Sequence, residues 1–232
     1  MNIIIAPSML AANLGRLEHE IKRIEDSGAD WIHLDIMDGH FVPNLSFGPD
    51  FLCMIKRHTR LFCDVHLMCS RPEIILPHFI DAGADSITVH AELGNEAQDL
   101  IWKIRNANCR AGIAINPPSP FSIAEPFLKH VQMLLVMTVN PGYGGQSFIS
   151  ENLPKIQQAN QWRKKQIKDG NTKTLLDIEV DGGINTETAC ACATCGANVI
   201  VSGTTIFSSH SYKLTIKKMR QAAQATFDTG IL

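Results

Sequence analysis

The stretch Ser27-Gly28-Ala29-Asp30-Trp31-Ile32-His33-Leu34-Asp35-Ile36-Met37 joins two patterns that together indicate the fold. It opens with a glycine of the kind that ends a helix, because glycine adopts positive φ without a steric penalty. It continues as a run in which aliphatic residues alternate with His33, Asp35 and Met37. Successive side chains of an extended chain point to opposite faces, so this run predicts a strand with one polar, inward face.

The same helix-ending signal recurs twice downstream. Ala82-Gly83-Ala84-Asp85 and Cys195-Gly196-Ala197-Asn198 each follow a helical pattern and precede an apolar run. The spacings between the three glycines are close to two and four repeats of one strand–helix unit. Eight candidate strands fit this spacing, and they cover residues 3–7, 30–35, 61–68, 86–90, 111–115, 133–139, 175–180 and 199–202.

Eight strands alternating with helical patterns predict an α/β protein built as a single (β/α)8 TIM barrel. A length of 232 residues suits such a barrel, and no linker or change of composition divides the chain. We therefore expect one catalytic domain over residues 1–232. A doubly wound sheet shows the same alternation and remains an alternative, because sequence patterns do not reveal whether a sheet closes.

Composition restricts the partners. A formal net charge of -2, without a basic cluster interleaved with aromatics, argues against nucleic acid or an anionic membrane. Residues 1–7 contain no basic leader and too short an apolar run to cross a membrane, so we expect a cytoplasmic protein. Seven cysteines favour reduced thiols over a disulfide framework. Cys190, Cys192 and Cys195 fall in an Ala-rich helical pattern, where buried small residues are expected rather than a metal site.

Polar residues recur on the inward face of three candidate strands. Side chains at the carboxyl ends of parallel strands converge on one mouth of a barrel, which would bring together His33, Asp35, His66 and Asp181. Two imidazoles and two carboxylates suit one divalent ion per subunit, and Zn²⁺, Fe²⁺, Mn²⁺ and Co²⁺ all remain open. No organic cofactor is expected, because no Gly-x-Gly-x-x-Gly follows the first strand.

Three glycine-rich stretches follow the last three candidate strands. They are Asn140-Pro141-Gly142-Tyr143-Gly144-Gly145-Gln146, Asp181-Gly182-Gly183 and Ser202-Gly203-Thr204-Thr205. Glycine lets backbone N–H groups approach a phosphate, and the loops after strands seven and eight are the usual phosphate position in such barrels. One such turn is a weak signal, but three of them predict phosphate binding.

A metal ion and a phosphate at one mouth suggest a phosphorylated carbonyl compound as substrate. A metal-bound carbonyl acidifies the adjacent C–H by stabilising the enediolate, and Asp35 and Asp181 on opposite faces could remove one proton and return another. That chemistry is epimerisation. Met37, Met68 and Met137 could form a water-excluding sleeve around the planar intermediate, with core filling as the alternative. His90-Ala91-Glu92 either supports this site or forms a structural pair at the rim.

The chain resembles the ribulose-phosphate 3-epimerase family, a group of metal-dependent TIM barrels of the ribulose-phosphate-binding type. The matching motifs extend from the first strand to the eighth: Ala6-Pro7-Ser8, residues 33–44, residues 64–68, residues 139–148, Glu179-Val180-Asp181-Gly182-Gly183 and Ser202-Gly203-Thr204. The resemblance implies interconversion of D-ribulose 5-phosphate and D-xylulose 5-phosphate at C3 in the pentose phosphate pathway. It also implies a homo-oligomer, either a dimer or a hexamer.

Residue by residue, the resemblance makes Asp35 the proton acceptor and Asp181 the proton donor in one direction, with the roles exchanged in reverse. It implies the same four metal ligands, His33, Asp35, His66 and Asp181. The sugar phosphate would be bound by Ser8, His66, Gly142, Tyr143, Gly144, Gly145, Asp181, Gly182, Gly183, Gly203 and Thr204. Thr204 stands where the family usually has serine, which preserves the hydroxyl.

Three other functions remain open. A 3-epimerase for another ketose phosphate, such as D-allulose 6-phosphate, would share these motifs. A barrel hydrolase often carries His-x-His on its first strand, where this chain has Ile3-Ile4-Ile5-Ala6-Pro7. A non-catalytic sugar-phosphate sensor would not need carboxylates on two sides of its ligand.

Overall fold

A computed structural model of the protein describes residues 1–170 and 176–230. Eight parallel strands form an inner layer: β1 Ile4–Pro7, β2 Trp31–Met37, β3 Phe62–Met68, β4 Ser86–His90, β5 Arg110–Ile115, β6 Met133–Met137, β7 Asp177–Asp181 and β8 Val199–Ser202. The α-helices among these residues are α1 Leu17–Asp26, α2 Pro49–His58, α3 Pro72–Asp81, α4 Asn95–Asn106, α5 Leu153–Lys168, α6 Thr186–Cys195, α7 Thr204–Phe207 and α8 Tyr212–Gly230.

The sheet closes on itself. The strands pair in the order β1-β8-β7-β6-β5-β4-β3-β2, so the two ends of this order are β1 and β2. They meet where Ser8, the residue after β1, forms a parallel bridge with His33 of β2. The closed, all-parallel sheet confirms the predicted (β/α)8 barrel and excludes the doubly wound alternative.

The predicted strand bounds are close to the observed ones. β4 and β8 begin and end where the sequence placed them, and each of the other comparable bounds is either unchanged or shifted by one or two residues. β2 continues to Met37, so His33, Asp35 and Met37 share its inward face. The predicted start of the seventh strand, Leu175, lies outside the described residues, as do residues 231–232 of the expected domain.

The two faces of the sheet pack differently. Outward-facing Ile32 and Leu34 belong to a large apolar core shared with the helices. Inside the barrel, the rings of Trp31 and Phe62 stack at 4.5 Å near the amino-terminal ends of the strands. His33 lies one step further along the inward face and is fully buried. The interior therefore changes from apolar to polar towards the mouth.

The three glycines that the sequence predicts at helix ends have the expected backbone conformation. Gly28, Gly83 and Gly196 all have positive φ, at 76°, 90° and 112°, as expected for residues that end helices. At the start of α6, the side chain of Asn185 accepts hydrogen bonds from the backbone N–H groups of Glu187 and Thr188. None of the helices in the described ranges has the length and apolar composition needed to span a membrane.

The connection between β5 and β6 departs from the helical pattern. It contains two 3₁₀ turns, Phe121–Ile123 and Glu125–Phe127, in place of an α-helix. Prolines at 117, 118, 120 and 126 explain this difference, because proline lacks the N–H and clashes with the preceding turn of a helix. The short turns nevertheless return the chain to β6, which pairs in parallel with β5.

The cysteines have the character expected of packing residues. All seven are free. Cys192 and Cys195 are buried in α6, while Cys190 is half-buried. Burial raises the pKa of the Cys192 thiol, which disfavours the thiolate that a metal would need.

Candidate active site

The carboxyl ends of β2, β3 and β7 bring the four predicted metal ligands together. Oδ1 of Asp35 lies 3.3 Å from Nε2 of His33 and 3.3 Å from Nδ1 of His66. One ligand atom from each of these residues and one from Asp181 all lie within 4.8 Å of one another. Two imidazole nitrogens and two carboxylate oxygens therefore converge from three strands.

This donor set fits a divalent cation. Nδ1 of His33 lies 2.7 Å from Oδ2 of Asp64, so that nitrogen donates its proton and Nε2, which faces Asp35, is the atom left to ligate a cation. Carboxylate–histidine pairs of this kind orient imidazoles that ligate metals. Sequence reasoning did not assign a role to Asp64. The signal was its position two residues before His66, on the same inward face of β3.

Glu179 is a second inward carboxyl group that sequence reasoning left unassigned. Its Oε1 lies 3.6 Å from Nδ1 of His33, and the side chain is fully buried. Burial and the charge of Asp64 raise its pKa well above the usual range, which favours the protonated form of Glu179. Its position two residues before Asp181 on β7 was the available signal.

Asp35 and Asp181 hold protons with very different affinity. Burial alone would raise the pKa of Asp35, but the charge of His33 and hydrogen bonds from His33 and His66 hold it well below its usual range. Burial and the negative charge of Asp35 raise the pKa of Asp181 to about 7. Such a pair, with one carboxylate ionised and its neighbour protonated near neutral pH, is the arrangement expected of a general base and a general acid.

The two histidines of the candidate site, His33 and His66, also differ in pKa. Burial lowers the pKa of His66 to about 4, which keeps this imidazole neutral and able to ligate a metal. Burial would also lower the pKa of His33, but the charge of Asp35 and hydrogen bonds to the surrounding carboxyl groups raise it well above its usual value. Carboxylates that stabilise positive charge on an imidazole also favour a bound cation.

A cavity of about 260 Å³ opens at this end of the barrel. Asp35 and Asp181 line it. His33 and His66 are fully buried and are not among its lining residues. The lining does include the other predicted substrate-binding residues and the three methionines: Ser8, Gly142, Tyr143, Gly144, Gly145, Gly182, Gly183, Gly203, Thr204, Met37, Met68 and Met137.

The methionines reach the cavity from two apolar clusters. Met37 and Met68 pack with Val42, whereas Met137 packs with neighbouring aliphatic residues of β5 and β6. All three are at most 5% exposed. Apolar walls from two clusters therefore bound the space in front of the carboxyl groups.

The loop after β7 has a backbone that only glycine fits. Gly183 has a φ of 66°, and a Cβ there would lie 2.5 Å from the backbone nitrogen of Phe148. The hydroxyl of Thr138 donates to the carbonyl of Gly182 at 2.7 Å, and that of Thr188 donates to the carbonyl of Gly183 at 3.1 Å. Because the N–H of a trans peptide points opposite its C=O, the N–H groups of Gly183 and Ile184 face away from these hydroxyls.

The loop after β6 is tied to the loop after β2. Nδ2 of Asn44 donates to the carbonyl of Gly142 at 2.7 Å, and the hydroxyl of Tyr143 donates to the carbonyl of Pro43 at 2.7 Å. Tyr143, predicted from sequence to bind substrate, therefore uses its hydroxyl in a contact between loops, although the residue also lines the cavity. These two contacts fix one side of the cavity mouth.

Comparison with known proteins identifies close relatives. A family model described as the ribulose-phosphate 3 epimerase family matches residues 4–207. A Bacillus subtilis protein named ribulose-phosphate 3-epimerase is 42% identical over 218 residues, which cover 94% of this chain and 98% of the relative. A Synechocystis protein of the same name is 41% identical over 224 residues, covering 95% of this chain and 94% of the relative.

Solved structures show the same fold in more distant proteins. The structure of 3-keto-L-gulonate-6-phosphate decarboxylase from Vibrio cholerae superposes with a TM-score of 0.70 at 14% identity, covering 97% of this chain and 98% of the other. Likeness at that identity shows the barrel architecture alone. The family match, by contrast, extends from β1 past β8 and agrees with relatives above 40% identity. The chain belongs to the ribulose-phosphate 3-epimerase family.

Proposed function

We propose that this protein is a metal-dependent epimerase that interconverts D-ribulose 5-phosphate and D-xylulose 5-phosphate at C3. The observation that carries the proposal is the pair of carboxyl groups of Asp35 and Asp181, which line one cavity and differ in proton affinity. Family membership supports the substrate, because the relatives at 42% and 41% identity are named for this activity.

In the proposed reaction, Asp35 acts as the base and takes the proton from C3. Ser8 donates a hydrogen bond of 2.7 Å to Oδ2 of Asp35, which fixes the plane of the carboxylate before the substrate arrives. Proton removal leaves an enediolate that is planar at C3. Asp181 then donates a proton to the opposite face, which inverts the configuration. In the reverse direction the two residues exchange roles.

The same four side chains, His33, Asp35, His66 and Asp181, would hold one divalent cation. When bound, the cation would supply positive charge that stabilises the negative charge developing on the substrate oxygens. Two imidazoles with two carboxylates are compatible with Zn²⁺, Fe²⁺, Mn²⁺ or Co²⁺. Asp35 and Asp181 therefore both hold the ion and move protons in this proposal.

The glycine loops would hold the phosphate. Gly142 to Gly145, Gly182, Gly183, Gly203 and Thr204 line the same cavity as the two carboxyl groups. Backbone N–H groups are strong donors to phosphate oxygens, and glycine allows close approach. Met37, Met68 and Met137 would exclude water from the planar intermediate, which would protect it from unwanted protonation by solvent.

The test is an initial-rate comparison on D-ribulose 5-phosphate and D-allulose 6-phosphate, using metal-replete protein and detection specific to each product. We expect strong preference for the pentose, together with exchange of its C3 hydrogen for solvent deuterium. Preference for the hexose would replace the proposed substrate while keeping the chemistry. Binding of either sugar phosphate without C3 exchange would refute an epimerase and favour a sensor.

A further inference from the structure

A series of polar contacts leads from the proposed cation site towards the rim of the barrel. His66 faces Asp35 through Nδ1, and its other nitrogen, Nε2, lies 2.8 Å from Nε2 of His90. The centroids of the two rings are 4.9 Å apart and the ring planes are inclined by 28°. On the far side of His90, Nδ1 lies 3.1 Å from Oε2 of Glu92.

When a cation takes the place of a proton between Nδ1 of His66 and Oδ1 of Asp35, the remaining contacts determine where the other protons lie. A contact between two imidazole nitrogens needs one donor and one acceptor, and an ionised carboxylate only accepts. His90 therefore donates from Nδ1 to Glu92 and, when neutral, accepts at Nε2. His66 must then donate from Nε2, which leaves a lone pair on its Nδ1. The reverse arrangement would place a proton on Nδ1 of neutral His66 and block that atom as a metal ligand.

Glu92 is itself held in place. Its Oε1 accepts hydrogen bonds from the backbone N–H of Asn116, at 2.8 Å, and from the hydroxyl of Ser119. Burial alone would raise the pKa of Glu92, but His90 and these two donors lower it to about 2. The carboxylate is therefore ionised at neutral pH and acts only as an acceptor towards His90.

Burial shields these contacts from water. The side chain of His90 is fully covered and that of Glu92 is 21% exposed, so water has little access to either ring nitrogen of His90. The ring of Phe41 covers His90 with its centroid 4.6 Å away. A rim pair with a purely structural role would need the contact between His90 and Glu92, but it would not need the second nitrogen of His90 to face a metal ligand.

We propose that His90 and Glu92 are positioning residues, which hold His66 in the tautomer with the proton on Nε2 and so present Nδ1 to the cation. This inference rests on the proposed function in one respect only, namely that a cation binds at this site. Neither residue lines the cavity in which the substrate would bind. Outer partners of metal-ligating histidines commonly set the tautomer in this way, and their loss typically weakens metal affinity about 10- to 100-fold.

The direct test is the tautomer of His66 in zinc-loaded protein labelled with ¹⁵N-histidine. Two-bond ¹H–¹⁵N correlation spectra distinguish protonated from unprotonated ring nitrogens, and a His66→Gln variant identifies the signals. We expect a proton on Nε2 of His66 and none on Nδ1. A proton on Nδ1, or zinc bound through Nε2, would overturn the inference. This measurement needs no change at His90 or Glu92, so it does not depend on how their variants fold.

The second test is zinc affinity, measured by competition with a chromophoric chelator. His90→Leu and Glu92→Gln should each weaken zinc binding by about 10- to 100-fold. Glu96→Gln is the matched control, because it removes the same charge from an exposed position on α4 and should bind zinc as the unaltered protein does. Equal affinity in all four proteins would also overturn the inference.

These two tests are independent of the test of the proposed function. The tautomer and the affinity are measured without substrate, whereas epimerisation is measured with D-ribulose 5-phosphate at saturating zinc. Protein that does not epimerise this substrate but carries the proton on Nε2 of His66 refutes the proposed function and supports the positioning role. Protein that epimerises this substrate but carries the proton on Nδ1 of His66 supports the proposed function and refutes the positioning role.

Discussion

Ser8 donates a hydrogen bond of 2.7 Å to Oδ2 of Asp35, while His33 and His66 both approach the other oxygen, Oδ1, of the same carboxylate. The two oxygens of this residue therefore have separate partners. One oxygen is oriented by the end of β1, and the other faces the imidazoles that would hold the cation. Proton transfer and cation binding can thus be altered separately.

Ser8→Ala should lower kcat while leaving the metal in place. A hydrogen bond to a charged group contributes about 1.5–3 kcal/mol, so we expect kcat to fall by about 10-fold or more. Cation affinity should stay unchanged, because both histidines approach Oδ1. Steady-state rates and chelator competition on the same preparation check this. Loss of the cation at unchanged kcat would contradict the assignment of Oδ2 to catalysis.

Asp35→Asn should impair both functions of that carboxylate. An amide cannot accept the C3 proton as a base, so kcat should fall by about 10²- to 10⁴-fold. Exchange of the C3 hydrogen with solvent deuterium should stop, and zinc affinity should weaken. Asp50→Asn, at an exposed position in the first turn of α2, is the control and should behave as the unaltered protein. Near-normal exchange in Asp35→Asn would rule out this residue as the base.

Removal of the metal should abolish activity reversibly. Exhaustive chelation takes away the positive charge that would stabilise the substrate oxygens, and activity should fall in proportion to metal content. One of Zn²⁺, Fe²⁺, Mn²⁺ or Co²⁺ should restore it at about one ion per chain. Metal content by mass spectrometry and initial rate are followed together. Full activity in verified metal-free protein would exclude a cation from the reaction.

Gly183→Ala should destabilise the fold, whereas Gly144→Ala should not. A Cβ at position 183 would sit at positive φ and 2.5 Å from the backbone of Phe148, but one at position 144 meets no atom within 4 Å. Left-handed backbone costs a non-glycine residue about 1–2 kcal/mol before any clash, so Tm should fall by about 5 °C or more. Calorimetry of the two variants checks this, and equal Tm values would argue that the loop relaxes freely.

Glu92→Gln should lower stability at neutral pH and lose that effect in acid. The pKa of Glu92 falls from 4.5 to about 2 on folding, so the ionised group stabilises the fold above about pH 4.5. This contribution disappears as the pH drops towards 2. After allowance for solvent screening it is about 1 kcal/mol. The difference in Tm from the unaltered protein should shrink between pH 6 and pH 3, and a constant difference would contradict the cause given.

Much of this site is predictable because the interior of a parallel barrel is governed by alternation along the strands. The period of two on β2 assigns His33 and Asp35 to one face, and the carboxyl ends of the strands must meet. His66 and Asp181 follow by the same rule. The described structure places ligand atoms of all four residues together, as the pattern alone indicated.

The partners of those residues were harder to predict, because they depend on register between strands and on loop paths. Asp64 becomes the acceptor for His33 only once β2 and β3 pair with these two residues opposite each other. The contact between His90 and Glu92 depends on the turn that follows β4. The alternation of strands and helices predicts a helix after β5, and the structure has 3₁₀ turns there because four prolines fall in that segment.

The path of β1 has a consequence for how the chain assembles as it is made. Its ladder partner is β8, the last strand of the barrel, and its contacts on the β2 side include the bridge between Ser8 and His33 and the hydrogen bond from the N–H of Asp30 to the carbonyl of Ile5. The first strand leaves the ribosome long before its partner, so it waits with one open edge until about residue 202 has emerged. During that interval the nascent protein exposes an apolar strand edge, the kind of surface that invites aggregation and that chaperones protect.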